Sequence, residues 1–133
     1  MTLSVFTAAR PVVAPGKEGV VYYPSMGLQV STDNGKTFTR LDSLAACMAV
    51  GLGKGKTDSD PYTIFVWGKP KNDDSIGLYW SEDEGKTWSK VSDDQHQFGG
   101  PGNGYFVVGD MNKYGRVYMS TVGLGIVYGD LVQ

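Results

Sequence analysis

Apolar residues in this chain come in short runs, broken at frequent intervals by Gly, Pro, Asn and Asp. No stretch sustains a helical recurrence, so the pattern predicts strands joined by turns. The expected strands fall into three sets. The first covers residues 11–14, 20–23, 27–31 and 37–41, and residues 3–6 are a candidate earlier strand. The second covers 46–51, 62–67, 76–81 and 88–91. The third covers 105–108, 116–120 and 123–128. Two full sets of four are thus followed by one set of three.

The sets carry a repeat. Ser31-Thr32-Asp33-Asn34-Gly35-Lys36-Thr37-Phe38 and Ser81-Glu82-Asp83-Glu84-Gly85-Lys86-Thr87-Trp88 lie 50 residues apart. Both fit S-x-D-x-G-x-T-(F/W), the Asp-box pattern of β-propeller blades. The third set also matches the first at an offset of 96: Val12 meets Val108, Gly19 meets Gly115, Val21-Tyr22 meets Val117-Tyr118, and Gly27-Leu28 meets Gly123-Leu124. Two blades of about 48 residues account for that offset. The expected fold is all-β: propeller blades over 10–42 and 45–92, and an incomplete closing blade over 104–130. Three blades are fewer than the roughly four to eight of closed propellers. The chain is therefore expected to be part of a larger, seven-bladed propeller. Open blades would expose apolar faces and strand edges. The expected partner is thus the remaining blades, from the same precursor, a second chain or self-association.

The Asp boxes are read as structural. Asp33 and Asp83 should accept backbone N–H groups of their own turns. Gly35 and Gly85 should supply the positive φ that the turn needs. Phe38 and Trp88 should pack between neighbouring blades, and Ser31, Thr37, Ser81 and Thr87 complete the two boxes.

Composition narrows the function classes. Nineteen Gly, eight Tyr and three Trp suit many short strands and tight turns. A net charge of −2 with no basic block argues against nucleic acid. The apolar runs are too short to cross a bilayer, so no membrane partner is expected. Residues 1–10 lack the charged start and apolar stretch of a signal peptide. Cys47 is the single cysteine, which excludes an intrachain disulfide, and it reads as a small buried hydrophobe.

Few catalytic or metal motifs survive inspection. Gly51-Leu52-Gly53-Lys54-Gly55-Lys56-Thr57 has Val50 where a phosphate loop needs its first Gly, and no helix follows. It reads as a blade loop. The Asp-Asn-Gly and Asp-Glu-Gly triplets of the boxes lack the further ligands and closing Glu of a calcium loop. One Cys and one His exclude a Cys₂His₂ zinc site. No cofactor or metal is expected. A sialidase would need a cluster of three Arg on its substrate's carboxylate. Arg10, Arg40 and Arg116 occupy no equivalent positions in the repeat.

The least blade-like stretch is Asp93-Asp94-Gln95-His96-Gln97-Phe98-Gly99-Gly100-Pro101-Gly102. It links the second set to the third. In a propeller it would share a face with the loop at 68–75, which follows Trp67. Polar groups beside aromatic rings suit sugar recognition. Trp67, Asp94, Gln95, His96 and Phe98 are the candidate substrate-binding residues. The competing reading is a surface loop whose Asp and His satisfy local backbone groups. Asp93 and Asp94 are not a glycosidase pair, because sequence neighbours do not face each other across the gap of about 5–10 Å that hydrolysis requires.

Three further segments follow in order: Gly109-Asp110, Tyr114-Gly115-Arg116-Val117-Tyr118, and Gly123-x-Gly125-Ile126-x-Tyr128-Gly129-Asp130. With Asp93-Asp94-Gln95-His96-Gln97 before them, they resemble the C-terminal end of xyloglucanases of glycoside hydrolase family 74. So do Gly77-Leu78-Tyr79-Trp80-Ser81 before an Asp box and Pro15-Gly16-Lys17-Glu18-Gly19 before a strand. The resemblance implies a two-propeller, exported enzyme that hydrolyses β-1,4 links of xyloglucan with two Asp residues and inversion. Neither catalytic Asp context is present in this chain, so no catalytic residue carries over and the chain alone is expected to be inactive. It would contribute to a glucan-binding cleft. The alternative is a non-catalytic carbohydrate- or protein-binding module. Thr121-Val122-Gly123-Leu124-Gly125 departs from the polar ending usual in the family.

Overall fold

The computed structural model describes residues 11–25, 27–91, 106–120 and 125–130. Among them there are eleven strands and no helix. The first sheet joins β1 (Val12–Val13), β2 (Val21–Pro24), β3 (Leu28–Ser31) and β4 (Thr39–Arg40). The second joins β5 (Leu44–Gly53), β6 (Thr63–Pro70), β7 (Gly77–Ser81) and β8 (Ser89–Lys90). The third joins β9 (Val107–Gly109), β10 (Arg116–Ser120) and β11 (Ile126–Asp130). Within each sheet consecutive strands are antiparallel neighbours, the meander of a propeller blade.

The sheets stack face to face in chain order, and alternation along each strand decides what lies between them. Between the first and second sheets, Ala14 and Leu28 meet Leu44, Cys47, Val50, Leu52, Ile64, Val66 and Tyr79, with Val12 and Tyr22 packed alongside. Between the second and third, Ala49, Phe65 and Leu78 meet Val107, Val117 and Met119, flanked by Trp67 and Trp80. The inner strands β5 and β9 come closest. A Cβ on Gly51 would lie 2.3 Å from the Val107 carbonyl oxygen, and one on Gly109 would lie 2.6 Å from Gly53 Cα. Glycine is needed there because two backbones occupy the space of one side chain. Cys47 is buried and donates to the Ala49 carbonyl at 3.4 Å. Burial pushes its thiol up to about 12, so it stays protonated and unreactive.

The repeat is visible in the hydrogen bonds. Ala14 N–H donates to Val20 O at 3.0 Å, and Asp110 N–H donates to Arg116 O at 2.9 Å, 96 residues on. The match then slips. Pro24 pairs with Leu28, whereas Ser120 pairs with Ile126. The third strand of the third sheet is therefore offset by 98 residues, and Leu28 corresponds to Ile126 rather than Leu124. The connection between β10 and β11 is two residues longer than its counterpart.

Two loop expectations also change. Residues 51–53 belong to β5, so the glycine-rich loop starts only at Lys54. β6 runs to Pro70, so the loop before β7 starts at Lys71 rather than Gly68. Both extensions come from ladder pairing that runs through glycines: Gly51 with Phe65, Gly53 with Thr63, Gly68 with Cys47 and Gly77.

Candidate functional site

The two Asp boxes are built alike. Ser31 and Ser81 are buried at the ends of β3 and β7. Ser31 Oγ accepts Gly35 N–H at 2.8 Å and Asp33 N–H at 3.2 Å, and donates to Asp33 Oδ1 at 2.7 Å. Ser81 Oγ accepts Gly85 N–H at 2.9 Å and donates to Asp83 Oδ1 at 2.7 Å. Asp33 and Asp83 then accept the N–H of Thr37 and Thr87 at 2.8 and 2.9 Å. Hydrogen bonds from Thr37 and Ser31 hold the Asp33 carboxyl at about 2. For Asp83, partial burial opposes ionisation, but bonds from Thr87, Ser81 and Lys86 outweigh it and hold the carboxyl at about 2. Gly35 and Gly85 have φ of 82° and 90°. The residues before them, Asn34 and Glu84, are also left-handed, at 65° and 62°. Each carboxylate is thus hydrogen-bonded through both oxygens within its own turn.

The aromatic residues that end the boxes differ. Trp88 packs against the core between the first two sheets, and its indole N–H donates to Ser43 Oγ at 2.8 Å. Phe38 is 40% exposed and meets Tyr23 of its own sheet, with ring centres 6.2 Å apart. No described residue of another sheet stands where the 41–43 connection stands for Trp88.

Trp67 lies in β6 opposite Ala49 and Leu78 and packs, partly buried, beside the core between the second and third sheets. It is set within a strand rather than on a loop tip. Asp94, Gln95, His96 and Phe98 fall outside the described residues. Among the described residues no group of three or more His, Cys, Asp or Glu side chains could hold a metal ion.

A feature that strand reading misses lies beside the second box. Trp80, Glu82, Asp83, Thr87 and Ser89 line an open cleft of about 270 Å³. Tyr114, from the turn between β9 and β10, reaches two of these residues. Its ring centre is 5.9 Å from that of Trp80, and its hydroxyl donates to Glu82 Oε1. Burial and the Glu82 carboxylate push the Tyr114 phenol up to about 12. The cleft lining falls within residues 80–89, whereas Tyr114 meets Glu82 from 32 positions away, a contact that only the stacking of two sheets makes.

Blade-like sheets closed by Asp-box turns define the chain as a segment of an Asp-box β-propeller. No family model matches it. It is 42% identical over 118 residues to a xyloglucanase of Acetivibrio thermocellus, covering 87% of this chain and 14% of that protein. It is 31% identical over 137 residues to an oligoxyloglucan-reducing end-specific xyloglucanase of Emericella nidulans, covering 98% of this chain and 16% of that protein. The crystal structure of a glycoside hydrolase family 74 enzyme from Niastella koreensis matches 93% of this chain with a TM-score of 0.82 and 41% identity. The chain spans 18% of that enzyme. It belongs, as a segment, to glycoside hydrolase family 74.

Proposed function

We propose that this chain is a C-terminal propeller segment of a xyloglucan-degrading enzyme acting outside the cell. In this reading it builds one wall of a glucan-binding cleft and leaves the catalytic carboxylates to other blades. The observation that carries the proposal is the 42% identity to a xyloglucanase over 87% of the chain, joined to the same fold at a TM-score of 0.82. The state of the Asp boxes supports the non-catalytic part. Asp33 and Asp83 are held ionised at about 2 by their own turns. A general acid needs a raised value, and a carboxylate held at about 2 is a weak base near neutral pH.

Trp67, Asp94, Gln95, His96 and Phe98 are the proposed glucan contacts. A xyloglucan oligosaccharide titrated into the protein by calorimetry should bind. Trp67→Ala should weaken that binding by about 1–3 kcal/mol, the scale of one aromatic side chain. Because Trp67 also touches the core, Trp67→Phe serves as the folding control. Unchanged affinity in a folded Trp67→Ala protein removes Trp67 from the site. Release of reducing sugar from xyloglucan by this chain alone would overturn the non-catalytic assignment.

A further inference from the structure

The two Asp boxes share a frame, and the residues beside that frame differ. Val30, Thr32 and Thr39 of the first set stand where Trp80, Glu82 and Ser89 stand in the second, 50 residues on. The pairing is the same in both, Val30 with Thr39 and Trp80 with Ser89. The turn is closed by Ser, Asp, Gly and Thr alone. The first box closes with no aromatic ring and no further carboxylate at these places. The turn therefore does not demand Trp80 and Glu82, yet both line the cleft of about 270 Å³.

Strand alternation turns Leu78 and Trp80 to one face of the second sheet. Leu78 is sealed in the seam with the third sheet, and Trp80 packs, partly buried, beside it. Phe65 lies on the β6 side of the Trp80 ring, nearly parallel at 18°, with centres 6.2 Å apart. The cleft opens on the other side, toward Ser89 of β8. Tyr114 braces the arrangement from the third sheet through the Trp80 ring and Glu82 Oε1. Among the described residues, Glu82 Oε2 and Ser89 Oγ have no hydrogen bond. The lining strands and the bracing turn all belong to this chain, so the cleft is built at an internal seam.

One ring side next to hydroxyls and a carboxylate oxygen suits a pyranose. The C–H face of the sugar would lie on the indole, and its hydroxyls would bond Glu82 Oε2, Ser89 and Thr87. A cation is a poorer fit. Asp83 is bound through both oxygens in its own turn, and Glu82 already accepts from Tyr114. We propose that this cleft binds a pyranose unit of a polysaccharide, as a second site separate from the contacts proposed at Trp67 and residues 94–98. Trp67 pairs with Leu78 and Trp80 with Phe65, two rungs apart on one ladder, and Trp67 does not line the cleft. The preference for a sugar rests on the cleft, and the choice of a β-glucan as that sugar rests on the function proposed above.

Proton–nitrogen NMR of the 133-residue chain tests the site, because each of its three tryptophans gives one indole N–H signal. Trp80→Phe assigns the Trp80 signal by its loss. A xyloglucan oligosaccharide should shift that signal and saturate. Ser89→Tyr fills the cleft from an exposed strand position that accepts an aromatic residue, so it should fold and abolish the shift. Glu82→Gln keeps an acceptor and removes the charge, so affinity should fall by less than about tenfold. Maltose is the second probe, and arginine amide the third. A Trp80 shift from maltose with none from the xyloglucan oligosaccharide keeps the sugar site and removes the glucan reading. No Trp80 shift from either sugar overturns the proposal, as does a shift that survives Ser89→Tyr or an equal shift from arginine amide. The Trp67 signal reads the other proposed contacts separately, so either site can fail without the other.

Discussion

Leu28 and Ile126 occupy the same place in two sheets, and their surroundings are opposite. Leu28 is sealed under the second sheet, while Ile126 faces outward from the third. The local chain is alike in both cases: the same antiparallel partners, the same third-strand position and the same turn hydrogen bonds 96 residues apart. Burial in this fold is therefore not a property of the strand that carries an apolar residue. It is conferred by the next sheet in the stack. Among the described residues the buried apolar contacts are concentrated at two internal seams.

The largest effect should be the cost of truncating each of the two residues. Leu28→Ala should destabilise by about 2–5 kcal/mol, as buried leucines do when a cavity is left. Ile126→Ala should stay within about 0.5 kcal/mol in dilute protein, as exposed substitutions do. Urea unfolding of both variants measures the contrast, and equal costs would break it.

The seam itself comes next. Gly51→Ala should cost about 1–3 kcal/mol, because its Cβ would enter the Val107 carbonyl and only a backbone shift can relieve it. Val108→Ala, on the open face of the same strand pair, should change little. Ser81→Ala should cost about 1–3 kcal/mol, since it strips the buried hydroxyl from Gly85 N–H and Asp83 N–H. Thermal melts compare these variants on one scale.

Much of this architecture was legible in the sequence because its signals are local. An Asp box fixes Ser, Asp, Gly and Thr within one turn, so the spacing states the hydrogen bonds that Ser31–Thr37 and Ser81–Thr87 make. Strand sets of four, four and three follow from alternation and turn residues. The slip to an offset of 98 was not legible, because Gly123-Leu124 and Gly125-Ile126 both copy Gly27-Leu28, and only the strand pairing selects the second. Nor were the left-handed Asn34 and Glu84, because the box pattern assigns positive φ to the glycine that follows each. Phe38 and Trp88 have equivalent places in their motifs, yet only Trp88 has the Leu41–Ser43 connection beside it. The glucan contacts proposed at Asp94, Gln95, His96 and Phe98 lie outside the described residues, so for them the sequence remains the whole argument.

Acid should act on both Asp boxes together. Asp33 and Asp83 are held at about 2, below the ordinary carboxylate value near 3.9. The folded state thus favours their ionised form. Their contribution is complete above about pH 4 and fades as pH falls toward 2. Melting temperature should decline across that window. Asp33→Asn with Asp83→Asn should flatten the decline. A slope unchanged by the double substitution would assign acid sensitivity to other carboxylates, with Asp130 first among them. Two hydrogen bonds from Arg116, at 2.7 and 2.8 Å, hold Asp130 at about 2 as well.

The smallest effect distinguishes the two ends by charge. Lys17 and Lys113 are repeat counterparts in the first turns of their sheets. Lys17 reaches across the seam to Glu84 at 3.9 Å and lies 5.6 Å from the Tyr62 ring. Lys113 has no described sheet beyond it and turns back to Asp130 of its own sheet at 3.5 Å. Both pairs are solvent-exposed, so Lys17→Ala should cost only about 0.2–1 kcal/mol. Its salt dependence is the more telling reading. If Lys17 ties two sheets together, its contribution should shrink in high salt as screening removes the attraction to Glu84. A contribution that persists in high salt would come instead from the packing of its alkyl chain and from Tyr62, and the seam would then owe nothing to the ion pair.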